Sequence, residues 1–287
     1  MSSAECPALI DIAVISGFYS QMSGVLAGFA FTAMVFLLTP ARSYLPSRPM
    51  RGGGGELLAL FAAFVALVIT TLLYSVLAGE TAGQARPRAA TAAIIDGVVF
   101  GLAVIMLFQG VTVLMQRTVV DRAVLAAARF VTVVAVPTLA FYYIVTGASD
   151  ITSARARVVG SCDVSLPGLG IALTIALPAI LSVSLAPRAR RVPWRTYSSQ
   201  LQLAAPLTVL AASVFAALLS GDISTRSPEF LPSTTVVHAY LVGYFILLLL
   251  LGLMLSYGET RQEEPQPEET SGEQPEEPDA PGERAEL

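Results

Sequence analysis

Lysine is absent from the 287-residue chain, and all 17 basic residues are arginine. Without a lysine amine, no Schiff base can form to retinal, pyridoxal phosphate or a carbonyl substrate. The chain also holds only one histidine and two cysteines. Because typical zinc and haem sites need several imidazole or thiolate ligands, we expect no metal and no cofactor.

Catalytic motifs are missing as well. The sequence contains no Gly-x-Ser-x-Gly, no His-x-x-x-His and no paired acids with a histidine at helical spacing. The glycine run 52–55 is followed by a hydrophobic stretch, whereas a phosphate-binding loop continues with Lys and Ser or Thr. We therefore do not expect an enzyme.

Charged side chains are scarce, and long apolar runs take their place. Charged residues make up 13% of the chain and hydrophobic residues 54%, whereas soluble domains carry about 25% charged residues. Runs of about 20 apolar residues can cross a bilayer as helices. Seven such runs occur, at 16–38, 57–78, 92–115, 128–147, 167–186, 201–220 and 235–256. The sequence predicts an all-α, polytopic membrane bundle of seven transmembrane helices within residues 1–257.

The arginine distribution predicts the orientation of this bundle. The first, third and fifth connections carry ten arginines, the second, fourth and sixth carry five, and residues 1–15 carry none. The positive-inside rule then places the N-terminus outside and residues 258–287 in the cytoplasm. Residues 1–15 also lack the positive n-region of a signal peptide. Because arginine without lysine is typical of GC-rich bacterial genes, we expect a bacterial plasma membrane.

Two charged segments are expected on the cytoplasmic side. Residues 259–287 hold eleven acids and two arginines, are rich in Pro, Gln and Gly, and have no apolar face. Such a segment cannot offset its ordering entropy, so we expect a disordered acidic tail. The fifth connection carries a basic patch formed by Arg188, Arg190, Arg191 and Arg195. We expect it to contact anionic lipid headgroups of the bilayer rather than nucleic acid.

Small residues predict where the helices pack. In the first run a row recurs every four residues, formed by Ser16, Ser20, Gly24, Gly28 and Thr32, and the third run repeats the pattern at Ala93, Gly97 and Gly101. In lipid, helices associate through close backbone approach and interhelical hydrogen bonds. We therefore expect the first helix to be central, with helix contacts at Ser20, Gly24, Gly28, Gly97 and Gly101.

A few polar residues lie near the predicted outer ends of the runs. They are Asp96 in the third run, Tyr142 and Tyr143 in the fourth, and His238 and Tyr240 in the seventh. An acid at membrane depth is costly and therefore indicates a function. We expect one outward-facing polar cluster that binds a cation or moves a proton. Alternatively, Asp96 is hydrated at the interface and the tyrosines form an aromatic belt.

These features favour transport, by a transporter or an ion- or proton-linked permease with an outward-opening polar cavity. The alternative is a non-catalytic membrane sensor or assembly subunit that acts through its loops and acidic tail. Transport needs a continuous polar path. An Asp96 confined to a single helix contact would therefore favour the sensor.

Both cysteines are predicted to lie on the outer side. Cys6 precedes the first run and Cys162 lies in the fourth connection. Disulfides form and persist on that side of a bacterial membrane. A bridge would require Cα atoms within about 7 Å of each other. Two unpaired thiols are the alternative.

The orientation can be tested with reporter fusions. A reporter fused after Leu287 is expected to behave as cytoplasmic, because the arginine bias places the tail on that side. A reporter inserted after Gly79, in the second connection, serves as the control and is expected outside. An outside signal from the Leu287 fusion would contradict seven spans with an outside N-terminus.

Overall fold

A computed structural model describes residues 11–39, 54–80, 86–117, 121–158, 168–185 and 198–258. Within these ranges the protein is all-helical and contains no strand. The elements are α1 (Ile12–Leu38), α2 (Gly54–Gly79), α3 (Arg86–Arg117), α4 (Arg122–Phe130), a π-helical turn (Val131–Ala135), α5 (Val136–Val158), α6 (Gly168–Leu185), α7 (Ser198–Ser224) and α8 (Thr234–Gly258).

Seven helices in the described part of the chain are long and apolar enough to cross a membrane. The fourth of them runs from Arg122 to Ala156 and combines α4, the π turn and most of α5. The all-α class and the seven candidate spans are thereby confirmed, and they support a multi-pass membrane protein. The predicted tail, the basic patch 188–195, Cys6 and Cys162 lie outside the described residues.

Side-chain caps mark where several helices begin. The carboxylate of Asp11 accepts hydrogen bonds from the backbone N–H groups of Ala13 and Val14, at 3.1 and 3.5 Å. Asp121 caps α4 in the same way, through a 3.2 Å bond from the N–H of Ala123. Because the first N–H groups of a helix have no partner within it, such caps stabilise the helix start.

A proline explains the π turn between α4 and α5. Pro137 lies two residues after the turn and has no N–H to donate to the carbonyl of Val133, which lies four residues earlier. Just before Pro137 the backbone hydrogen bonds span five residues instead of four, and the N–H of Val136 donates to the carbonyl of Val131. The fourth span therefore crosses the bundle with a local change of helical geometry rather than a break.

The central helix is α3, so the expectation that the first helix is central is wrong. In an apolar stretch of 18 residues, 56% of the residues of α3 are buried, against 22% of those of α1. Glycines on different sides of α3 admit side chains from three neighbours. Gly97 meets Tyr143 of α5, Gly101 meets Tyr244 of α8, and Gly110 meets Leu60 of α2.

Hydroxyl groups join α1 to α2. The Ser20 and Ser75 hydroxyl oxygens lie 2.7 Å apart, and the Ser20 hydroxyl also donates to the backbone carbonyl of Thr71 at 3.2 Å. The Thr71 hydroxyl donates to Ser23 at 3.2 Å. In lipid, such interhelical hydrogen bonds help to hold two helices together.

The packed row of α1 differs from the predicted one beyond Ser20. An ideal Cβ on Gly24 would make ordinary contact with Thr71 at 3.8 Å, and one on Gly28 would meet nothing within 4 Å. The buried positions are instead Ser16, Ser23, Ala27, Ala30 and Met34. A strict spacing of four turns about 40° around the helix at each step, whereas mixed spacings of three and four stay on one face. Gly28 has thus left the face on which Ser16 lies.

Gly97→Ala is expected to lower the thermal unfolding temperature of the purified protein. The added Cβ would lie 2.8 Å from Cε1 of Tyr143 and 2.9 Å from Cδ1 of Ile144, and overpacking of this kind costs about 1–3 kcal/mol. Gly28→Ala is the matched control and should not lower that temperature, because the position is open and alanine favours helix. Equal unfolding temperatures for the two variants would contradict close packing at Gly97.

Candidate functional site

Asp96 is a buried acid in the first half of α3. Asp96 is 1% exposed to solvent. The Ser220 side chain of α7 lies beside the carboxyl group. The carboxyl oxygen Oδ1 has no hydrogen-bond donor among the described residues. An unsatisfied buried carboxylate oxygen is costly, so this position would gain from a proton or a cation.

A cavity of about 280 Å³, here called the aromatic cavity, lies at the end of the bundle where α1 begins and α2 ends. Its walls come from α1, α2, α3 and α5. The polar groups in its lining are Tyr19, Tyr74, Tyr143, Asp150, Ser16, Thr146 and Ser149. Four helices thus bring phenol rings, hydroxyl groups and one carboxylate to a common space.

The three tyrosines of the aromatic cavity pack on one another. The ring centroids of Tyr19 and Tyr74 lie 5.3 Å apart, and the two rings are stacked. The ring centroids of Tyr19 and Tyr143 lie 5.2 Å apart, and the planes of these rings meet at 61°. The hydroxyl oxygens of Tyr74 and Tyr143 lie 3.3 Å apart. Gly97 permits this arrangement, because any larger residue there would collide with the Tyr143 ring.

A second cavity, of about 230 Å³, is mainly apolar and is here called the apolar cavity. It lies among α3, α5, α7 and α8, and Ile94 of α3 borders both cavities. The Tyr240 hydroxyl in its wall donates to the carbonyl of Ile94 at 3.4 Å. Asp222 and Arg226, which form an ion pair of 2.9 Å, also line it. The first half of α3 thus separates an aromatic from an apolar space.

Arginines fix the connection between α7 and α8 at this end of the bundle. Arg88 of α3 pairs with Glu80 at 3.1 Å and donates to the carbonyl of Arg226 at 2.9 Å. Arg155 of α5 donates to the Thr234 hydroxyl at 2.8 Å and to the carbonyl of Pro232. These bonds tie residues 225–233 to α3 and α5.

The structure divides the predicted polar cluster between two places. Tyr143 lines the aromatic cavity and Tyr240 the apolar cavity. Tyr142 is 51% exposed. His238 forms no hydrogen bond or ion pair with any described residue, so it is not paired with Asp96. The expected single cluster is therefore corrected to two groups on either side of α3.

Asp96 lines neither of these two cavities. Sequence reasoning missed Tyr19, Tyr74 and Asp150. Each lies near a predicted outer helix end, which is a usable signal. Only the pairing of the helices shows that the three meet.

An apolar layer lies beyond Asp96 along α3. Leu102, Ala103, Ile105 and Met106 are fully buried. The next buried polar residue of α3 is Gln109, thirteen residues beyond Asp96, or about 20 Å at the rise of an α-helix. One turn further, the hydroxyls of Thr112 and Thr132 lie 2.8 Å apart, beside the π turn. Polar groups on α3 therefore form two levels with an apolar layer between them.

Comparisons with protein-family models, curated proteins and solved structures find no match to this chain. Among the described residues, no group of three or more His, Cys, Asp or Glu side chains could hold a metal ion.

Proposed function

We propose that this multi-pass membrane protein is a transporter or an ion- or proton-linked permease, in which Asp96 takes up and releases the coupled proton or cation. The observation that carries the proposal is the buried Oδ1 of Asp96, which has no donor among the described residues. A carboxylate at membrane depth is stabilised when a proton or cation neutralises it. Whether Asp96 holds this proton or cation therefore depends on whether its carboxyl group is exposed to water.

The aromatic cavity is proposed as the entrance for the substrate. It lies at the end of the bundle where α1 begins, and the arginine bias of the connections favours this end as the outer one. The apolar layer beyond Asp96 closes the path toward the other side, and Asp96 itself is buried, which fits an occluded state. Alternating access requires a second state. The π turn, next to the Thr112–Thr132 pair, is a suitable place for the fourth span to rearrange.

A membrane sensor or assembly subunit is the second candidate function. Two observations favour it. Asp96 lies beside Ser220 at the α3–α7 contact and lines neither cavity, and the apolar layer interrupts the polar path. A sensor would bind its ligand in the aromatic cavity and would move no solute across the membrane.

Asp96→Asn is expected to abolish coupled flux while the protein remains folded, because the amide keeps the shape of the side chain but can neither ionise nor neutralise a cation. The flux of protons, Na⁺ and K⁺ into proteoliposomes is measured under imposed gradients, and folding is followed by thermal unfolding. Asp222→Asn is the matched control. Asp222 is an exposed acid paired with Arg226, and its variant should retain the flux.

Two results would contradict the proposal in different ways. An absence of flux in the folded wild-type protein under every gradient would favour the sensor. Wild-type flux that is unchanged in Asp96→Asn would leave a transporter in which Asp96 is not the coupling group.

A further inference from the structure

Among the described residues, one charged side chain lines the aromatic cavity, and it is negative. Asp150 of α5 lies in its wall, and no arginine or histidine is among the described residues that line it. Asp150 forms no ion pair or hydrogen bond with any residue that the structure describes. The cavity therefore favours a cation and disfavours an anion.

The hydroxyl groups beside Asp150 are acceptors. Thr146 donates its hydroxyl hydrogen to the carbonyl of Tyr143 at 2.7 Å, and Ser149 donates to the carbonyl of Thr146 at 2.6 Å. A hydroxyl whose hydrogen is already engaged offers only its lone pairs. This set of groups fits a ligand that carries N–H or C–H donors around a positive charge.

The remaining walls are aromatic and aliphatic. The rings of Tyr19, Tyr74 and Tyr143 line the cavity together with Ile12, Ile15 and Ile144. Aromatic faces attract cations, and quaternary ammonium groups are typical ligands of aromatic cages. A bare metal ion would need several carboxylate or carbonyl ligands, whereas the described lining offers one carboxylate. The volume of about 280 Å³ suits a small molecule.

From these observations we infer that the aromatic cavity binds a small ammonium ion with apolar substituents. Asp150 balances its charge, the tyrosine rings contact its cationic group, and the isoleucines contact its alkyl groups. The inference deepens the proposed function by naming a substrate class, and it rests on that function only for the claim that the bound ion is transported.

The binding test uses the full chain in nanodiscs of phosphatidylglycerol, a lipid without an ammonium group. Choline is titrated by calorimetry, and 3,3-dimethylbutan-1-ol, in which carbon replaces the nitrogen, is the matched neutral probe. We expect saturable choline binding that is stronger than that of the neutral probe by about tenfold or more, because cation–π and charge contacts are lost together.

Variants assign the binding to the cavity. Asp150→Asn is expected to weaken choline binding by roughly 10- to 100-fold, since a charge-assisted contact is lost. Tyr19→Leu should weaken it by about tenfold, whereas Tyr19→Phe, which keeps the ring, should retain most of it. Asp222→Asn and Tyr142→Leu are controls outside the cavity and should leave the binding unchanged.

The ammonium group could belong to a free solute or to a lipid headgroup, and a second titration distinguishes these sources. Nanodiscs that also contain phosphatidylcholine are compared with nanodiscs of phosphatidylglycerol alone. Weaker choline binding in the mixed nanodiscs assigns the site to the headgroup, and unchanged binding assigns it to the free ion.

Three results would overturn the inference: no saturable choline binding to the folded wild-type protein, equal binding of the neutral probe, or undiminished binding by both Asp150→Asn and Tyr19→Leu. The flux assay separates this inference from the proposed function. Choline binding without any flux would retain the ammonium site and reject transport. Ion flux without choline binding would retain transport and reject the ammonium site.

Discussion

The close approach of neighbouring helices to the glycines of α3 is the contact on which the rest of the structure depends. At Gly97, Gly101 and Gly110 there is no room for a Cβ, because side chains of α5, α8 and α2 occupy the space. A membrane offers little hydrophobic gain for helix association, so van der Waals contact over such surfaces matters more than in water. The same contacts fix the tyrosines. Tyr143 faces the aromatic cavity because its ring lies against Gly97.

The two acids of the candidate site, Asp96 and Asp150, differ in how deeply they are buried. Asp96 is enclosed by packing that excludes water, yet its Oδ1 has no hydrogen-bond donor among the described residues. Asp150 is only half-buried, among aromatic rings, and keeps access to the cavity. One acid is thus placed for a partner that enters the core, and the other for a partner that arrives from the end of the bundle.

The spans could be predicted from the sequence because their signal is local: length and hydropathy define a membrane helix without reference to its neighbours. The central helix could not, because a row of small residues shows what a helix permits and not which helix uses it. Gly28 belongs to such a row and has no neighbour within 4 Å, whereas Gly97 does. Asp96 was found because an acid inside an apolar run is rare. Asp150 and Tyr19 were missed because acids and tyrosines near helix ends are common, and only the helix pairing brings them together.

The arginine bonds around residues 225–233 bear on how the chain inserts into a membrane. On the orientation that the arginine bias predicts, Arg88, Arg155 and Arg226 belong to segments that must be translocated, where positive charge hinders crossing. Each of them is engaged after folding: Arg88 by Glu80 and a carbonyl, Arg155 by Thr234 and a carbonyl, and Arg226 by Asp222. These arginines therefore hinder membrane insertion, but after folding their bonds hold the end of α7 and the start of α8 in place. A neutral, shorter turn between these helices would cross the membrane more easily and would leave the wall of the apolar cavity unsupported.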